Sequence, residues 1–424
     1  MSARYNLSAI IEKQLPFEVI GLIKNASDMV AARGVGLYLV GGVVRDLLMD
    51  IVTRDIDLVV EGDAIELAGQ LASMRPGRLT THPRFYTAKI EWPEWSVDLA
   101  TARSESYARP GALPDIVPGS IEEDLYRRDF TINAMAINVV PERYGELIDL
   151  HGGQNDLCKG MIRILHNKSF VDDATRIWRA LRYEQRLGFC LEKKTLNLLR
   201  HDIPMLDTIS GERVRYELEC VFREAGPERV IHRAGELGVL ARMHPSVKGN
   251  GWLAERFRPA RNYCAPDAPS FELYLALLLY RLDEGACEEL VSFLGLSRPV
   301  SRAIRETIRL RGELRKISRP GIKRSKVYRV VHGYSETAVT ANLLAGKSAI
   351  ARNYLEVYLG ELRYIQPVLT GSDLLAMGVP SSPLMRDILS FLHDARLNGV
   401  VKSKAGEEAL VREWLGRGKE GNRR

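Results

Sequence analysis

The chain has 424 residues, 46% hydrophobic and 27% charged, a composition of ordinary globular type with room for roughly two to four domains around a sizeable core. No apolar run approaches the roughly 18 residues of a membrane span, and the start, Met1-Ser2-Ala3-Arg4-Tyr5-Asn6, offers no apolar leader, so no membrane association is expected. A net charge of +6 suits a polyanionic partner, while five unpatterned cysteines (Cys158, Cys190, Cys220, Cys264, Cys287) argue against a disulfide framework or zinc site and for a reducing cytoplasm.

Residues 1–150 read as mixed α/β. Val35–Val40 and Asp55–Val60 are strand-like, with a short helix over Val43–Met49 between them and another over Asp63–Ser73. Phe85–Ile90 and Ser96–Ala100 read as a hairpin around Pro93, and Ile132–Val140 as a further strand. The stretch Tyr107–Ser120 is rich in Pro and Gly, as expected of an exposed, flexible loop. After Gly152-Gly153 the pattern turns helical, with apolar residues three and four apart. Phe170–Leu187 reads as one helix, Ser210 as the N-cap of another, and Leu273–Leu282 as an apolar helix. Gly371-Ser372-Asp373 reads as a helix start capped by Ser372 or Asp373, and the basic end from Arg417 is expected to fray. The fold class is α+β: a mixed sheet with helices, then an all-helical remainder.

Chemistry concentrates in three places. Asp55 and Asp57, one residue apart in an apolar run, project from one strand face. Two carboxylates side by side repel unless a cation lies between them, and a divalent pair that moves phosphoryl groups wants such oxygen ligands. Taken alone, Asp-x-Asp also fits a turn cap or a sugar transferase. The upstream Gly41-Gly42-x-x-Arg45-Asp46 favours the nucleotidyl-transfer reading, since a Gly-Gly turn before a helix offers N–H groups to phosphates. Asp98, the one acid in a nearby apolar strand, is the third candidate catalytic carboxylate, and Arg45 could reach a triphosphate or ribose.

The second place is Arg127-Arg128-Asp129-Phe130-Thr131-Ile132-Asn133-Ala134. Arg128 and Asp129 are candidates for phosphate and ribose contacts, with Asn133 as a supporting hydrogen bonder; a surface ion pair is the plainer alternative. The third is Asp172-Asp173-x-x-Arg176-x-x-Arg179-x-x-Arg182, in which Asp173, Arg176 and Arg179, spaced by three, line one helix face along with Arg182. That fits a salt-bridged surface, but also a base reader. Cytosine and adenine each show an amino donor beside a ring-nitrogen acceptor, matching a carboxylate (Asp173) beside a guanidinium (Arg176). Uracil and guanine would set a carbonyl against the carboxylate, so a fixed pair selects C and A without a template. From Arg302 to Arg329 the chain is strongly basic, and Arg302, Arg305, Arg309, Lys323 and Arg324 are candidate RNA-backbone contacts, or simply a solvated helix face.

Together with Ser210-Gly211-Glu212-Arg213 and Glu217-Leu218, these stretches resemble the class II tRNA nucleotidyltransferase and bacterial poly(A) polymerase family, in family order over about the first 225 residues. The resemblance implies a catalytic head (1–150), a nucleotide-selecting neck (151–225), an RNA-binding helical body (226–330) and a tRNA-binding helical tail (331–424). It implies Asp55 and Asp57 as Mg²⁺ ligands, Arg128, Asp173 and Arg176 as nucleotide-selecting residues, ATP and/or CTP as substrates, and tRNA 3′ ends as acceptors. One departure is Asp172, where the family usually has Glu. Val59-Val60-Glu61-Gly62-Asp63 resembles the tRNA-end enzymes rather than the poly(A) polymerases. A full-length Tyr107–Ser120 loop favours A or CCA addition over CC-only addition, and Val171–Phe189 resembles the A-adding branch. A non-catalytic RNA-binding protein is the alternative of another class, against which the intact carboxylates count.

Overall fold

The computed structural model describes residues 6–53 and 55–421, without the side chains beyond residue 415. They form two compact units, one ending at Arg242 and one beginning at Met243. The expected head and neck both fall in the first unit. The expected body, 226–330, begins there and continues in the second.

The first unit is built on a seven-stranded mixed sheet. Its strands are β1 (Leu37–Val40), β2 (Asp55–Val60), β3 (Arg78–His82), β4 (Thr87–Glu91) and β5 (Ser96–Thr101), then, after β6 (Arg103–Ser106) and β7 (Asp115–Pro118), β8 (Ala136–Asn138) and β9 (Leu147–Ile148). The order is β3-β4-β5-β2-β1-β8-β9, antiparallel throughout except where β2 runs parallel to β5. Alternation decides what each face does. In β2, Ile56, Leu58 and Val60 are buried on one side, while Asp55, Asp57 and Val59 share the other. Val59 packs with Tyr38, Val40, Ile121 and Leu125, so that face is core at one end of the strand and carries the two carboxylates at the other.

Three expectations change here. The strand over Ile132–Val140 begins only at Ala136, because Thr131–Asn133 forms a 3-10 turn closed by Ala134 N–H to the Thr131 carbonyl at 3.0 Å. The edge strand β3 lacks an apolar alternation, since its residues are mostly exposed, and the sequence pattern missed it. The stretch Tyr107–Ser120 is not all loop. Its second half, β7, pairs antiparallel with β6, Ser104 opposite Val117.

The remainder of this unit is helical apart from a two-residue parallel pair, Met161–Ile162 with Cys190–Leu191. The helix expected over Phe170–Leu187 is two, Ser169–Asp172 and Thr175–Leu187, broken at Asp173 in an extended conformation (φ −140°, ψ 100°). Asp173 accepts the Thr175 N–H and hydroxyl, a local bond that competes with the helical ladder. Ser210 does cap the helix Gly211–Phe222, accepting from Arg213 N–H.

The second unit is a set of packed helices. One core gathers Leu310, Leu314, Val327, Val331 and Leu355; another gathers Leu369, Leu374, Ile388, Leu392 and Val411. The helix Gly371–Ala376 is capped by Thr370, two residues before the expected Ser372 and three before Asp373. Asp373 instead closes the capping box by accepting the Thr370 N–H at 2.8 Å. The C-terminal helix runs Lys404–Gly421, through residues where fraying is expected from sequence; Asn422-Arg423-Arg424 and Met1–Tyr5 lie outside the described residues. Among the described residues no helix is long and apolar enough to cross a membrane, and the five cysteines are free.

Candidate active site

A cavity of about 720 Å³ in the first unit brings together most of the residues singled out above. Its lining includes Gly41, Gly42, Arg45, Asp55, Asp57, Arg128, Asp129, Asn133, Asp173, Arg176 and Arg179. Asp98 and Arg182 are not part of that lining.

The β1–helix turn forms one wall. Gly41 has φ +72°, and a side chain there would press on Arg128 Nη1, so glycine lets that guanidinium lie against the backbone. Arg45, on the helix Gly42–Leu48, is buried and held at both ends: Nε and Nη2 donate to Asp46 Oδ1 at 2.9 and 2.7 Å, and Nη1 donates to Asn133 Oδ1 at 2.7 Å. Asn133 in turn donates to Asp129 Oδ1 at 3.1 Å, and Asp129 Oδ2 accepts from Arg179 Nε at 2.8 Å. A buried polar chain therefore runs Arg45–Asn133–Asp129–Arg179. Asp129 pairs with Arg179, fifty residues away, and not with Arg128.

Arg127 and Arg128 share the fully buried Asp124. Arg127 donates to its Oδ1 at 3.0 and 2.7 Å, and Arg128 to its Oδ2 at 3.2 and 2.7 Å. Burial alone would raise the Asp124 carboxyl; the two guanidinium groups outweigh it and hold it below the usual carboxylate range. Arg127 also reaches Glu105 at 3.0 Å, which binds Arg103 and the Tyr107 hydroxyl as well.

The carboxylates of Asp55 and Asp57 have no hydrogen bond or ion pair among the described residues. Burial first, and then the charges of Asp98 and Asp55, push the Asp57 carboxyl up to about 6, against the pull of Arg128 and Lys89. Two carboxylates on one face beside a cavity suit a hard divalent ion with oxygen ligands. Asp98 lies in register with Asp57 on the parallel strand, but its Oδ2 is held by Lys89 at 2.9 Å. Among the described residues no group of three His, Cys, Asp or Glu side chains is placed to hold a metal ion. The third carboxylate is therefore adjacent to the pair without being assembled with it.

On the far wall the helix break separates Asp173 from the arginines that follow, so they do not line one continuous helix face. Arg176 is buried, donating to Ser169 Oγ at 2.8 Å and to the Arg127 carbonyl at 2.6 Å. Asp173 pairs with Arg213 at 2.7 Å. Arg182 lies beside the Tyr183 ring, with Glu224 at 3.9 Å. The sequence reading missed Glu105, Tyr107, Arg127, Tyr183 and Arg186, all in the lining. Spacing could have found Tyr183 and Arg186, which follow Arg179 at four and seven; nothing local marks Glu105.

In the second unit, three of the RNA-contact candidates carry acidic partners: Arg302 with Glu306, Arg305 with Glu288, and Arg324 with Glu361. Arg309 and Lys323 have no ion pair among the described residues. A separate cleft of about 610 Å³ is lined by Trp252, Tyr280, Arg281, Arg311, Arg315 and Lys347 among others, with no acidic side chain.

Comparison with known proteins gives two family matches, the poly A polymerase head domain over residues 37–163 and a probable RNA and SrmB-binding site of polymerase A over residues 188–249. The A-adding tRNA nucleotidyltransferase of Halalkalibacterium halodurans is 31% identical across 97% of this chain and 96% of its own length. That of Geobacter sulfurreducens is 34% identical over 95% of this chain, which spans about half (48%) of that relative. Among solved structures, a CCA-adding enzyme in its apo form II superposes with a TM-score of 0.84 at 31% identity, covering 98% of this chain and all of the other.

Proposed function

The chain belongs to the tRNA nucleotidyltransferase family, and on that footing we propose that it adds A, and with it or instead of it C, to the 3′ end of tRNA from ATP or CTP without a template. The single observation that carries this is one cavity lined both by the Asp55 and Asp57 carboxylates, unpartnered among the described residues, and by Asp173 and Arg176. In the reaction the tRNA 3′-oxygen attacks the α-phosphorus, the bond to the bridging oxygen breaks, and pyrophosphate leaves. Arg45 and Arg128, held rigid by Asp46, Asn133 and Asp124, face the phosphates as charge-assisted donors. Asp55 and Asp57 would hold Mg²⁺, which when bound lowers the pKa of the attacking hydroxyl and neutralises the leaving group. Asp173 and Arg176 face the base.

In this reading residues 1–150 perform transfer, 151–225 select the nucleotide, and 226–330 with 331–424 bind RNA, the whole acting in a cytoplasm reducing enough to keep five thiols free. The A-adding relatives favour A as the nucleotide added. The test is purified protein with Mg²⁺, labelled ATP or CTP, and tRNA lacking A, CA or CCA. Incorporation of A on tRNA ending in CC is expected. No incorporation on any acceptor refutes the proposal; long A tails on unrelated RNA would assign a poly(A) polymerase instead, and CTP incorporation alone would assign a CC-adding enzyme.

A further inference from the structure

Asp173 lies in the extended break between two helices, its N–H closing the first on the Ser169 carbonyl at 3.3 Å. Its Oδ1 accepts three donors: the Thr175 N–H at 3.0 Å, the Thr175 hydroxyl at 2.7 Å, and Arg213 Nη2 at 2.7 Å. No hydrogen-bond donor among the described residues reaches Oδ2. Arg213 stands on the first turn of the helix Gly211–Phe222, anchored by its own N–H on the Ser210 hydroxyl. Its other arm, Nη1, is 3.5 Å from the Gly111 carbonyl, at the outer limit of a hydrogen bond. Gly111 has φ +75°, and a methyl group there would overlap the Thr208 carbonyl. The same stretch, Thr208 to Arg213, thus seats the tip of the 107–114 segment and holds the carboxylate.

We infer that Arg213 is a positioning residue for nucleotide selection: by occupying Oδ1 of Asp173 it leaves Oδ2 as the one acceptor offered to a base. The inference rests on Asp173 being the base-reading carboxylate. A base with an exocyclic amino group satisfies Oδ2. A base with a carbonyl there sets acceptor against acceptor, and the mismatch costs most when the carboxylate is not free to turn. Rotation about the Cβ–Cγ bond of aspartate is intrinsically soft, so orientation must come from partners, and of the three only Arg213 is charged. A guanidinium also holds a planar carboxylate more rigidly than an ammonium does.

The experiment measures kcat/KM for ATP, CTP, UTP and GTP on an RNA acceptor with the wild type, Arg213→Ala, Arg213→Lys and Asp173→Asn, alongside thermal melts of each. Arg213→Ala is expected to lower the preference for the natural nucleotide over UTP by about 10- to 100-fold, with Arg213→Lys recovering part of it. Unchanged selectivity in Arg213→Ala with lost selectivity in Asp173→Asn overturns the inference and leaves the reading of Asp173 standing. Unchanged selectivity in both overturns that reading beneath it. Should Arg213→Ala melt below the assay temperature, Arg213→Gln, neutral and nearly as long, carries the same comparison with the same two outcomes.

Discussion

Replacing Asp129 by asparagine exchanges one oxygen for an NH₂ at the middle of the chain from Arg45 to Arg179. Asp129 is buried, and its Oδ1 accepts the Phe130 N–H at 2.8 Å and Asn133 Nδ2 at 3.1 Å. Those contacts survive in Asp129→Asn. The contacts from Oδ2 to Arg179, at 2.8 and 2.5 Å, do not, because an amide NH₂ faces a guanidinium. Breaking one side of a fully buried pair costs about 3–5 kcal/mol. The Arg179 side chain is 35% exposed, so water recovers part of its charge, and about 2 kcal/mol is expected, or roughly a 4–8 °C fall in melting temperature for a unit of this size. Burial pushes the Asp129 carboxyl up, but Arg179 and the Asn133 amide outweigh it, and the folded value lies below the ordinary one. Its contribution is therefore complete above about pH 4 and is lost as pH falls through the folded value. Melts of wild type and variant from pH 7 downward, without nucleotide, should show a gap that is full at neutrality and closes in acid. A gap below about 0.5 kcal/mol at pH 7, or one that widens on acidification, refutes the claim that this pair is a stabilising buried bridge.

Further outcomes are open to measurement. Asp55→Ala should lower incorporation by at least about a hundredfold with tRNA affinity retained; activity near wild type would remove the carboxylate pair from the chemistry. Chelation with EDTA should abolish incorporation and added Mg²⁺ restore it, and activity that persists in chelator would contradict a divalent requirement. Glu407, fully buried, accepts the Val368 and Leu369 N–H groups and Arg396 at 2.6 Å, so Glu407→Gln should destabilise the second unit by about 2 kcal/mol at pH 7 in urea unfolding. Burial opposes those donors, yet they hold its carboxyl below the usual value, so that difference should also shrink in acid. Because Arg302 and Arg305 already have acidic partners, their alanine variants should leave the salt dependence of tRNA binding nearly unchanged. Arg315→Ala with Lys347→Ala should reduce the slope by roughly one per cation removed, and the opposite ranking would place the RNA contact on the helix Arg298–Glu313.

The sequence carried the parts of the site that depend on local pattern. Period-two alternation placed Asp55 and Asp57 on one face, and the apolar run around Asp98 placed that residue on a strand beside them, as the Asp57–Asp98 register bears out. Features set by long-range contacts did not show. The break at Asp173 arises because its carboxylate prefers the Thr175 N–H and Arg213 to a place in a helix, and Arg213 is forty residues away. Arg128 looks like a natural partner for the adjacent Asp129, but the fold gives it to Asp124 one helical turn back. Glu105, in the unremarkable stretch Arg103-Ser104-Glu105-Ser106, gains its place only when β6 pairs with β7 and Arg127 folds over it. Thr370 lost out to Ser372 and Asp373 as the expected cap because all three residue types favour that position.

The strand order also fixes a sequence of events during synthesis. β1 lies between β2 and β8, with Tyr38 opposite both Val59 and Asn138. A growing chain therefore holds one edge of β1 open until residues 136–138 emerge, and such distant pairings are the slow ones. Asp55 and Asp57 are made early, whereas Asp173, Arg176 and Arg213 arrive only after the sheet can close. On the proposed assignment the groups for transfer come first and those for base selection last, so a chain interrupted between them would carry the carboxylate pair with nothing to choose a base.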